Sequence, residues 1–286
     1  QLKCCARGYE QNRKPSFWLT IARGCLNECI YCGGARSCYQ LLTGRERPIV
    51  RQASQIAEDI AGLAERGVKI VKLNHDPEMF GRHFWSSLLD SVKSTGADVS
   101  MYWESSRLPS KDFVKEATKT FVDLGVAISP ESTSQDVRML AGRSFTNEQM
   151  FRTIAFVEKS KVMTDIYFLV GLPGETANSA NNIAKFTKKV SENKHTLVQP
   201  AIPYTIDPHC PMAMNPEKYA IKLLLDSFND YRKACSEHKW EKWIGHETKD
   251  LSRREIAELT ANVRRSVMTL PQKGVASKIA FDYESV

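Results

Sequence analysis

The sequence contains no hydrophobic run that approaches the length of a membrane span. A helix needs about 20 consecutive apolar residues to cross a bilayer. The chain opens with Gln-Leu-Lys-Cys-Cys, which lacks the apolar core of a secretory signal peptide. We therefore expect a soluble, cytoplasmic protein without a membrane partner.

The sequence also lacks internal repeats, low-complexity linkers and a strong excess of one charge. Its 286 residues, 42% of them hydrophobic, suffice for one large domain or two small ones with a substantial core. The formal net charge is +7, but Lys and Arg are scattered among acidic residues. This balance permits a nucleic-acid or phosphorylated partner but favours an ordinary solvated surface, so nucleic acid is not the expected partner.

A disulfide framework is a third feature that the sequence does not support. The eight cysteines could form four disulfides in a secreted protein. However, they are concentrated near the start of a long chain that has no secretion signal. Reduced thiols that hold a metal centre explain this distribution better.

Cys25, Cys29 and Cys32 form a C-x3-C-x2-C array in one short segment. This spacing lets a single loop direct three thiolates at one metal centre. Thiolates favour an iron–sulfur cluster or zinc. Three ligands are one short of closing either site, which would leave one iron of a cluster open to bind another molecule. The alternatives are a four-cysteine zinc site that recruits Cys38, or three buried thiols.

Helical and strand patterns alternate from residue 54 to residue 202. Apolar residues at helical spacing precede short apolar runs, and Thr146 with Gln149 forms a predicted capping box. The predicted strands are 15–22, 68–73, 99–103, 126–128, 165–170 and 196–202. This alternation indicates an α/β protein with a parallel sheet and favours a curved, incomplete (β/α) barrel, with a flat doubly wound sheet as the alternative.

Beyond Pro216 the pattern becomes helical. It predicts one helix over residues 219–228 and a second over residues 256–267. We expect residues 1–235 to form the barrel core and residues 236–286 to form a helical C-terminal region.

Polar residues follow the predicted strands. Ligands of parallel α/β barrels bind at the carboxyl ends of the strands, so these residues should share a cavity with the cysteine loop. They are Asn74, His75 and Asp76, then Glu104 and Ser105, then Ser129 to Ser132, then Gly171 to Glu175, and finally Pro203 to Thr205 with His209 and Cys210 a few residues on.

The cysteine array resembles the signature of the radical S-adenosylmethionine (SAM) superfamily. Tyr31 directly precedes the third cysteine and Gly33 and Gly34 follow it, as in that family. The resemblance covers residues 15–235 and implies a partial (β/α)6 barrel, that is, an incomplete TIM-like barrel, here with a helical C-terminal extension. It also implies that Cys25, Cys29 and Cys32 hold a [4Fe-4S] cluster whose open iron binds SAM.

The resemblance extends to residues that would bind SAM. Gly33 and Gly34 would let the backbone approach its amino group, and Tyr31 would lie beside the adenine. Ile128 to Ser132 resembles the family's fourth-strand element, in which Ser129, Glu131 and Ser132 would contact the ribose and amino-acid ends. Arg143 or Arg138, with Arg143 preferred, would pair with the SAM carboxylate. Ala35 departs from the family because many members have an acidic residue there.

His75, Asp76, Glu104 and Cys210 are the candidates for catalysis on the substrate side. Each also has a structural interpretation, as a hydrogen-bonded core residue or a buried thiol. The resemblance implies that an electron donor such as a ferredoxin or flavodoxin starts SAM cleavage, and that the 5′-deoxyadenosyl radical takes hydrogen from a small-molecule or peptide substrate.

Two segments, 45–51 and 243–254, resemble radical SAM domains joined to a cobalamin-binding domain, many of which transfer methyl groups. Cobalamin is therefore a candidate cofactor. A domain of that kind needs more than about 100 residues, so cobalamin is either not used or bound by a domain outside this chain. The alternative function is a non-catalytic zinc or iron–sulfur protein that contacts nucleic acid through its basic surface.

Overall fold

A curled parallel sheet forms the centre of the protein. The structure is a computed structural model that describes residues 15–274. Its strands are β1 (Ser16–Leu19), β2 (Ala22–Arg23), β3 (Ile49–Val50), β4 (Ile70–Leu73), β5 (Ser100–Ser105), β6 (Leu124–Glu131), β7 (Met163–Val170), β8 (Thr196–Val198), β9 (Ile202–Pro203), β10 (Ile221–Leu223) and β11 (His246–Thr248). The sheet order is β1-β4-β5-β6-β7-β8 with every pair parallel, and β9 continues beside β7. This half barrel confirms the predicted partial (β/α)6 architecture.

The helices before residue 191 lie between successive strands of the sheet, and the later helices follow its last strand. They are α1 (Arg36–Thr43), α2 (Ala53–Glu65), α3 (Arg82–Thr95), α4 (Lys111–Thr120), α5 (Gln135–Leu140), α6 (Asn147–Lys159), α7 (Ala177–Val190), α8 (Pro211–Met214), α9 (Phe228–Ser236) and α10 (Arg253–Thr269). The predicted capping box of Thr146 and Gln149 is present at the start of α6. No helix between residues 15 and 274 is long and apolar enough to cross a membrane.

The two faces of the sheet differ in chemistry because successive strand residues point in opposite directions. Val71, Leu73 and Trp103 point outwards and join the apolar sides of the helices in the main core. Lys72 and Tyr102 alternate with them and point into the half barrel. The core therefore lies between sheet and helices, and the concave face is left for polar groups.

The predicted helix over residues 219–228 is wrong. A 3₁₀ turn at Glu217–Tyr219 ends at Ala220, whose φ is +50°, and β10 follows and pairs antiparallel with β11. Ile221 is buried, Lys222 is exposed and Leu223 is half-buried, which is a strand pattern of period two that the helical reading overlooked.

The second C-terminal helix is present as α10. Its buried residues Ile256, Leu259, Val263 and Val267 belong to the same core cluster as Ile166 and Phe168 of β7. The predicted division of the chain at residue 235 stays a prediction.

Candidate functional site

The cysteine loop lies at the carboxyl edge of the half barrel, between β2 and α1. Cys25, Cys29 and Cys32 are all free thiols, and Cys29 is the most buried of them. The backbone N–H of Asn27 donates to Cys25 Sγ at 3.4 Å, and that of Gly34 donates to Cys32 Sγ at 3.3 Å. The Gly34 N–H acts to lower the pKa of Cys32 and so favours the thiolate form that binds metals.

Burial disfavours the thiolate form of Cys29 and Cys32. It raises the pKa of Cys29 and raises the pKa of Cys32 to about 11. Without a metal ion to compensate the charge, Cys29 and Cys32 therefore favour the neutral thiol at physiological pH. Within residues 15–274 the side chains are not preset around a metal position. The donor set of three soft thiols in one loop nevertheless fits an iron–sulfur cluster.

A buried cluster of Tyr31, Glu131 and Arg143 adjoins the loop. Arg143 donates from Nη2 and Nε to Glu131 Oε1, at 2.7 and 3.0 Å, and from Nη2 to the Tyr31 hydroxyl at 3.1 Å. The Tyr31 hydroxyl in turn donates to the same carboxylate oxygen. Burial and the Glu131 charge both raise the pKa of Tyr31, so its hydroxyl stays protonated. The three predicted SAM-binding residues are thus brought together.

Glu131 has an unusual backbone conformation for a glutamate. Its φ is +66°, and the register between β6 and β7 shifts between Ile128 and Glu131. Residues other than glycine and asparagine rarely adopt a positive φ, and backbone strain of this kind is concentrated at functional sites. The bulge turns the Glu131 carboxylate towards Tyr31 and Arg143 at the mouth of the half barrel.

Two glycines allow close approaches to the cysteine loop. Gly142 has φ +95°, and a Cβ there would lie 3.0 Å from the Glu28 carbonyl oxygen and 3.2 Å from Cys29 Cα. Gly33 donates its N–H to Asp207 Oδ2 at 3.0 Å, and a Cβ there would lie 3.1 Å from the Pro208 carbonyl oxygen. Only glycine fits these contacts without movement of the neighbouring backbone.

The structure distinguishes the two candidate arginines. Arg138 is fully buried and donates to the carbonyl oxygens of Phe145 and Ser132 and to Asn147 Oδ1, so its guanidinium holds the β6–α6 connection together. Arg143 instead reaches the site through Glu131.

Ser132 is fully buried beside the Gly171–Glu175 turn. Its hydroxyl donates to Glu175 Oε1 at 3.0 Å, and Glu175 Oε2 accepts the Gly171 N–H at 2.8 Å. Ser132 and Glu175 therefore connect the ends of β6 and β7. The predicted contact of Ser132 with SAM stays a prediction.

Among the predicted catalytic residues, Asp76 and His75 sit in the loop after β4. Asp76 is buried, and its carboxylate accepts the backbone N–H groups of Ser106 and Glu78, both at 3.0 Å, and the Ser106 hydroxyl. These bonds fix the loops after β4 and β5 to each other. The ring of His75 lies 6.0 Å from that of Phe80, and burial lowers its pKa.

Glu104 and Cys210 occupy contrasting places. Glu104 is exposed within the concave face and accepts the Ser129 hydroxyl at 3.2 Å. Cys210 is fully buried, and burial raises the pKa of its thiol. It belongs to the apolar cluster beneath the cysteine loop, which includes Ile30 and Tyr204. The catalytic assignments of all four residues stay predictions.

His246 is a site neighbour that the sequence reasoning missed. It is fully buried in β11, and its Nε2 lies 2.7 Å from the Gly171 carbonyl oxygen. Its ring contacts Tyr204 edge-on at 5.3 Å, and the Tyr204 hydroxyl donates to the Tyr31 carbonyl oxygen at 2.8 Å. No strand-end rule identifies His246, because it lies far along the chain from every predicted strand.

Asp207 was missed for a different reason. It lies only three residues after Tyr204, so the rule that found the other strand ends could have included it. Its contact with Gly33 places a carboxylate next to the cysteine loop.

A parallel half barrel with a three-cysteine loop and a buried Tyr–Glu–Arg cluster at its carboxyl edge is typical of enzymes that handle a cofactor at this edge. Residues 19–187 match the model of the Radical SAM superfamily. The chain belongs to this superfamily, whose members use a [4Fe-4S] cluster and SAM.

Similar proteins are larger than this chain. A tRNA-2-methylthio-N(6)-dimethylallyladenosine synthase from Pelotomaculum thermopropionicum is 26% identical over 219 residues, covering 71% of this chain and 45% of that protein. A ribosomal protein uS12 methylthiotransferase from Clostridium botulinum is 27% identical over 190 residues, covering 62% of this chain and 41% of that protein. The chain thus spans less than half the length of these curated relatives.

The fold has matches among solved structures. The radical SAM methyltransferase TsrM from Kitasatospora setae, solved with cobalamin and a [4Fe-4S] cluster bound, superposes with a TM-score of 0.57 at 15% identity. The match covers 72% of this chain and 41% of that one. At this identity the likeness establishes the half-barrel fold.

The buried Glu175 predicts a pH-dependent stability. Burial raises its pKa from 4.5 to about 7, so the folded state binds its proton more tightly than the unfolded state. Stability from this group is present at low pH and is lost as the pH rises from 4.5 towards 7. The unfolding free energy of Glu175→Gln relative to wild type should rise across this window and then level off. Urea unfolding at a series of pH values measures it, and parallel curves would contradict the assignment.

The Arg143–Glu131 pair predicts a strong asymmetry between single and double variants. Arg143→Met leaves a buried carboxylate without its cation and should lower the unfolding free energy by about 3–5 kcal/mol. Adding Glu131→Gln removes that charge and should restore part of the loss. A double-mutant cycle from denaturant unfolding measures the coupling, and additive losses would show that the pair is not coupled.

Proposed function

We propose that this chain is the catalytic domain of a radical SAM enzyme in which Cys25, Cys29 and Cys32 hold the cluster. The observation that carries the proposal is the position of the cysteine loop, which packs against the turn bearing Arg143 and shares Tyr31 with the Glu131–Arg143 pair. When bound, the cluster supplies the electron that cleaves SAM to methionine and a 5′-deoxyadenosyl radical for hydrogen abstraction.

The chain's own residues would hold and orient SAM. Gly33 and Gly34 leave the backbone open to a ligand, and Tyr31 offers a ring at the mouth of the half barrel. Burial raises the pKa of Glu131, and the Arg143 guanidinium opposes this shift by favouring the carboxylate, whose free oxygen can accept hydrogen bonds from ribose hydroxyls. The hydroxyl groups of Ser129 and Ser132 donate to Glu104 and Glu175, so in contacts with SAM their oxygens would act as acceptors. Fixing the cofactor in this way places one substrate bond beside the reactive carbon.

The cysteine assignment predicts different outcomes for two thiol variants. After anaerobic reconstitution with iron and sulfide, dithionite and SAM, wild type should yield 5′-deoxyadenosine. Cys29→Ala should lose both the visible absorbance of the cluster and this product. Cys38→Ala is the matched control and should keep both, because the Cys38 thiol is buried and donates to the His209 carbonyl oxygen.

Two results of this experiment would count against the proposal. If wild type formed no 5′-deoxyadenosine and SAM left the cluster spectrum unchanged, the enzyme proposal would be wrong. Loss of absorbance in Cys38→Ala would favour the four-cysteine zinc-like site and the non-catalytic, nucleic-acid-binding alternative.

The finer proposal is transfer of a methyl-containing group. It is supported by the names of the two curated relatives, which are methylthio-transferring enzymes. S-adenosylhomocysteine formed together with 5′-deoxyadenosine would support it, as measured by mass spectrometry. 5′-Deoxyadenosine alone would instead favour rearrangement, dehydrogenation or sulfur chemistry. Repeating the assay with added cobalamin tests the use of that cofactor, and a ferredoxin or flavodoxin in place of dithionite tests the reductant.

A further inference from the structure

The concave face of the half barrel encloses a cavity of roughly 220 Å³ below the Tyr31–Glu131–Arg143 cluster. Its walls come from β1, β5, β6 and β7, which contribute Trp18, Tyr102, Glu104, Ser129 and Tyr167. Tyr31 and Glu131 also line it, so the cavity is continuous with the proposed SAM site. A group bound in it would lie next to SAM.

The walls of the cavity are largely aromatic. Trp18 points into the half barrel from β1, with 41% of its surface exposed and the Lys72 ammonium 5.8 Å from the centre of its ring. Tyr102 and Tyr167 line the same cavity from β5 and β7. Open aromatic surface within a concave site, with a few polar groups among it, is typical of ligand-binding pockets.

The charges around the cavity are paired with one exception. Asp165, beneath it, is buried and accepts Gln199 Nε2 at 2.7 Å and the Tyr102 hydroxyl at 3.4 Å, while the nearby Lys72 ammonium offsets its charge. Arg143 offsets Glu131 above it.

Glu104 is the exception. It is exposed within the cavity and accepts the neutral Ser129 hydroxyl at 3.2 Å. In the described part of the chain, no Lys, Arg or His forms a salt bridge with it. The Arg143 guanidinium is close enough to attract Glu104 but is bonded to Glu131, so the cavity presents one carboxylate without a salt bridge between aromatic walls.

We propose that this cavity binds the reacting end of the substrate and that this end is an ammonium group on an apolar body. The inference rests on the proposed function and names the substrate class for the same site. Glu104 accepts a charged hydrogen bond from the ammonium, and Trp18, Tyr102 and Tyr167 pack around the apolar body. Ligand pockets commonly measure about 300–1,000 Å³, so this smaller cavity holds one end of a molecule whose remainder lies at the opening.

Isothermal titration of this 286-residue chain with two small probes tests the proposal. Phenethylamine has an aromatic body and an ammonium group, and 3-phenylpropionate has the same ring with a carboxylate. Phenethylamine should bind at millimolar concentration at neutral pH, and 3-phenylpropionate should bind at least about tenfold more weakly because its charge repels Glu104.

Variants locate the binding. Glu104→Gln keeps the size of the side chain but removes its charge, and should weaken phenethylamine binding by about tenfold. Trp18→Leu should weaken it as well. Glu116→Gln is the matched control, since Glu116 is exposed on α4 and pairs with Lys119 away from the cavity, and it should bind like wild type.

Three results would overturn the inference: no binding of phenethylamine, equal affinity for both probes, or wild-type affinity in Glu104→Gln. The titration needs neither cluster nor SAM. Binding without 5′-deoxyadenosine formation would therefore count against the proposed function alone, whereas 5′-deoxyadenosine formation without binding would count against the substrate class alone.

Discussion

The buried ion pair of Arg143 and Glu131 is the interaction on which the site depends. It joins segments that are far apart in the sequence: the cysteine loop through Tyr31, the end of β6 through Glu131, and the loop after β5 through the Ser106 carbonyl oxygen, which accepts Arg143 Nη1 at 2.8 Å. A buried charge is costly unless it is paired and hydrogen-bonded, so only arrangements close to this geometry are stable. Loss of either partner would leave a buried charge without its counter-ion. The same desolvation cost favours the one arrangement in which both charges are paired, and this holds the site in place.

The two faces of the sheet have different roles: the outward face carries the apolar core, and the concave face carries the charged groups. Outward residues such as Val71 and Trp103 pack against the helices in the main apolar core, whose burial stabilises the fold. Inward residues such as Lys72, Asp165 and Glu104 keep charged groups on the concave face, where the Lys72 ammonium partly offsets the charge of Asp165. A polar interior is tolerable here because the half barrel is open and its charged groups are hydrogen-bonded or reach solvent.

The sequence allowed the half barrel to be predicted because helical and strand periods alternate regularly, and it placed the cysteine loop and the strand ends correctly. It also identified Tyr31, Glu131 and Arg143, which the fold brings into contact. It could not show that Arg138 donates to backbone carbonyl oxygens whereas Arg143 donates to Glu131, because these contacts depend on the direction of each side chain. The region after Pro216 was misjudged since β10 spans only Ile221–Leu223, too short for its period of two to be distinguished from a helix.

His246 contacts the Gly171 turn although it lies outside the residues that match the superfamily model. The match to the superfamily model ends at residue 187. The Gly171 carbonyl oxygen and the Tyr204 ring both contact the imidazole of His246, almost sixty positions further along the chain. The segment that matches the superfamily model is thus shorter than the segment whose residues surround the carboxyl edge of the half barrel. Anyone transplanting residues 19–187 into another scaffold would carry over the ligands of the cluster and leave behind part of the wall that supports them.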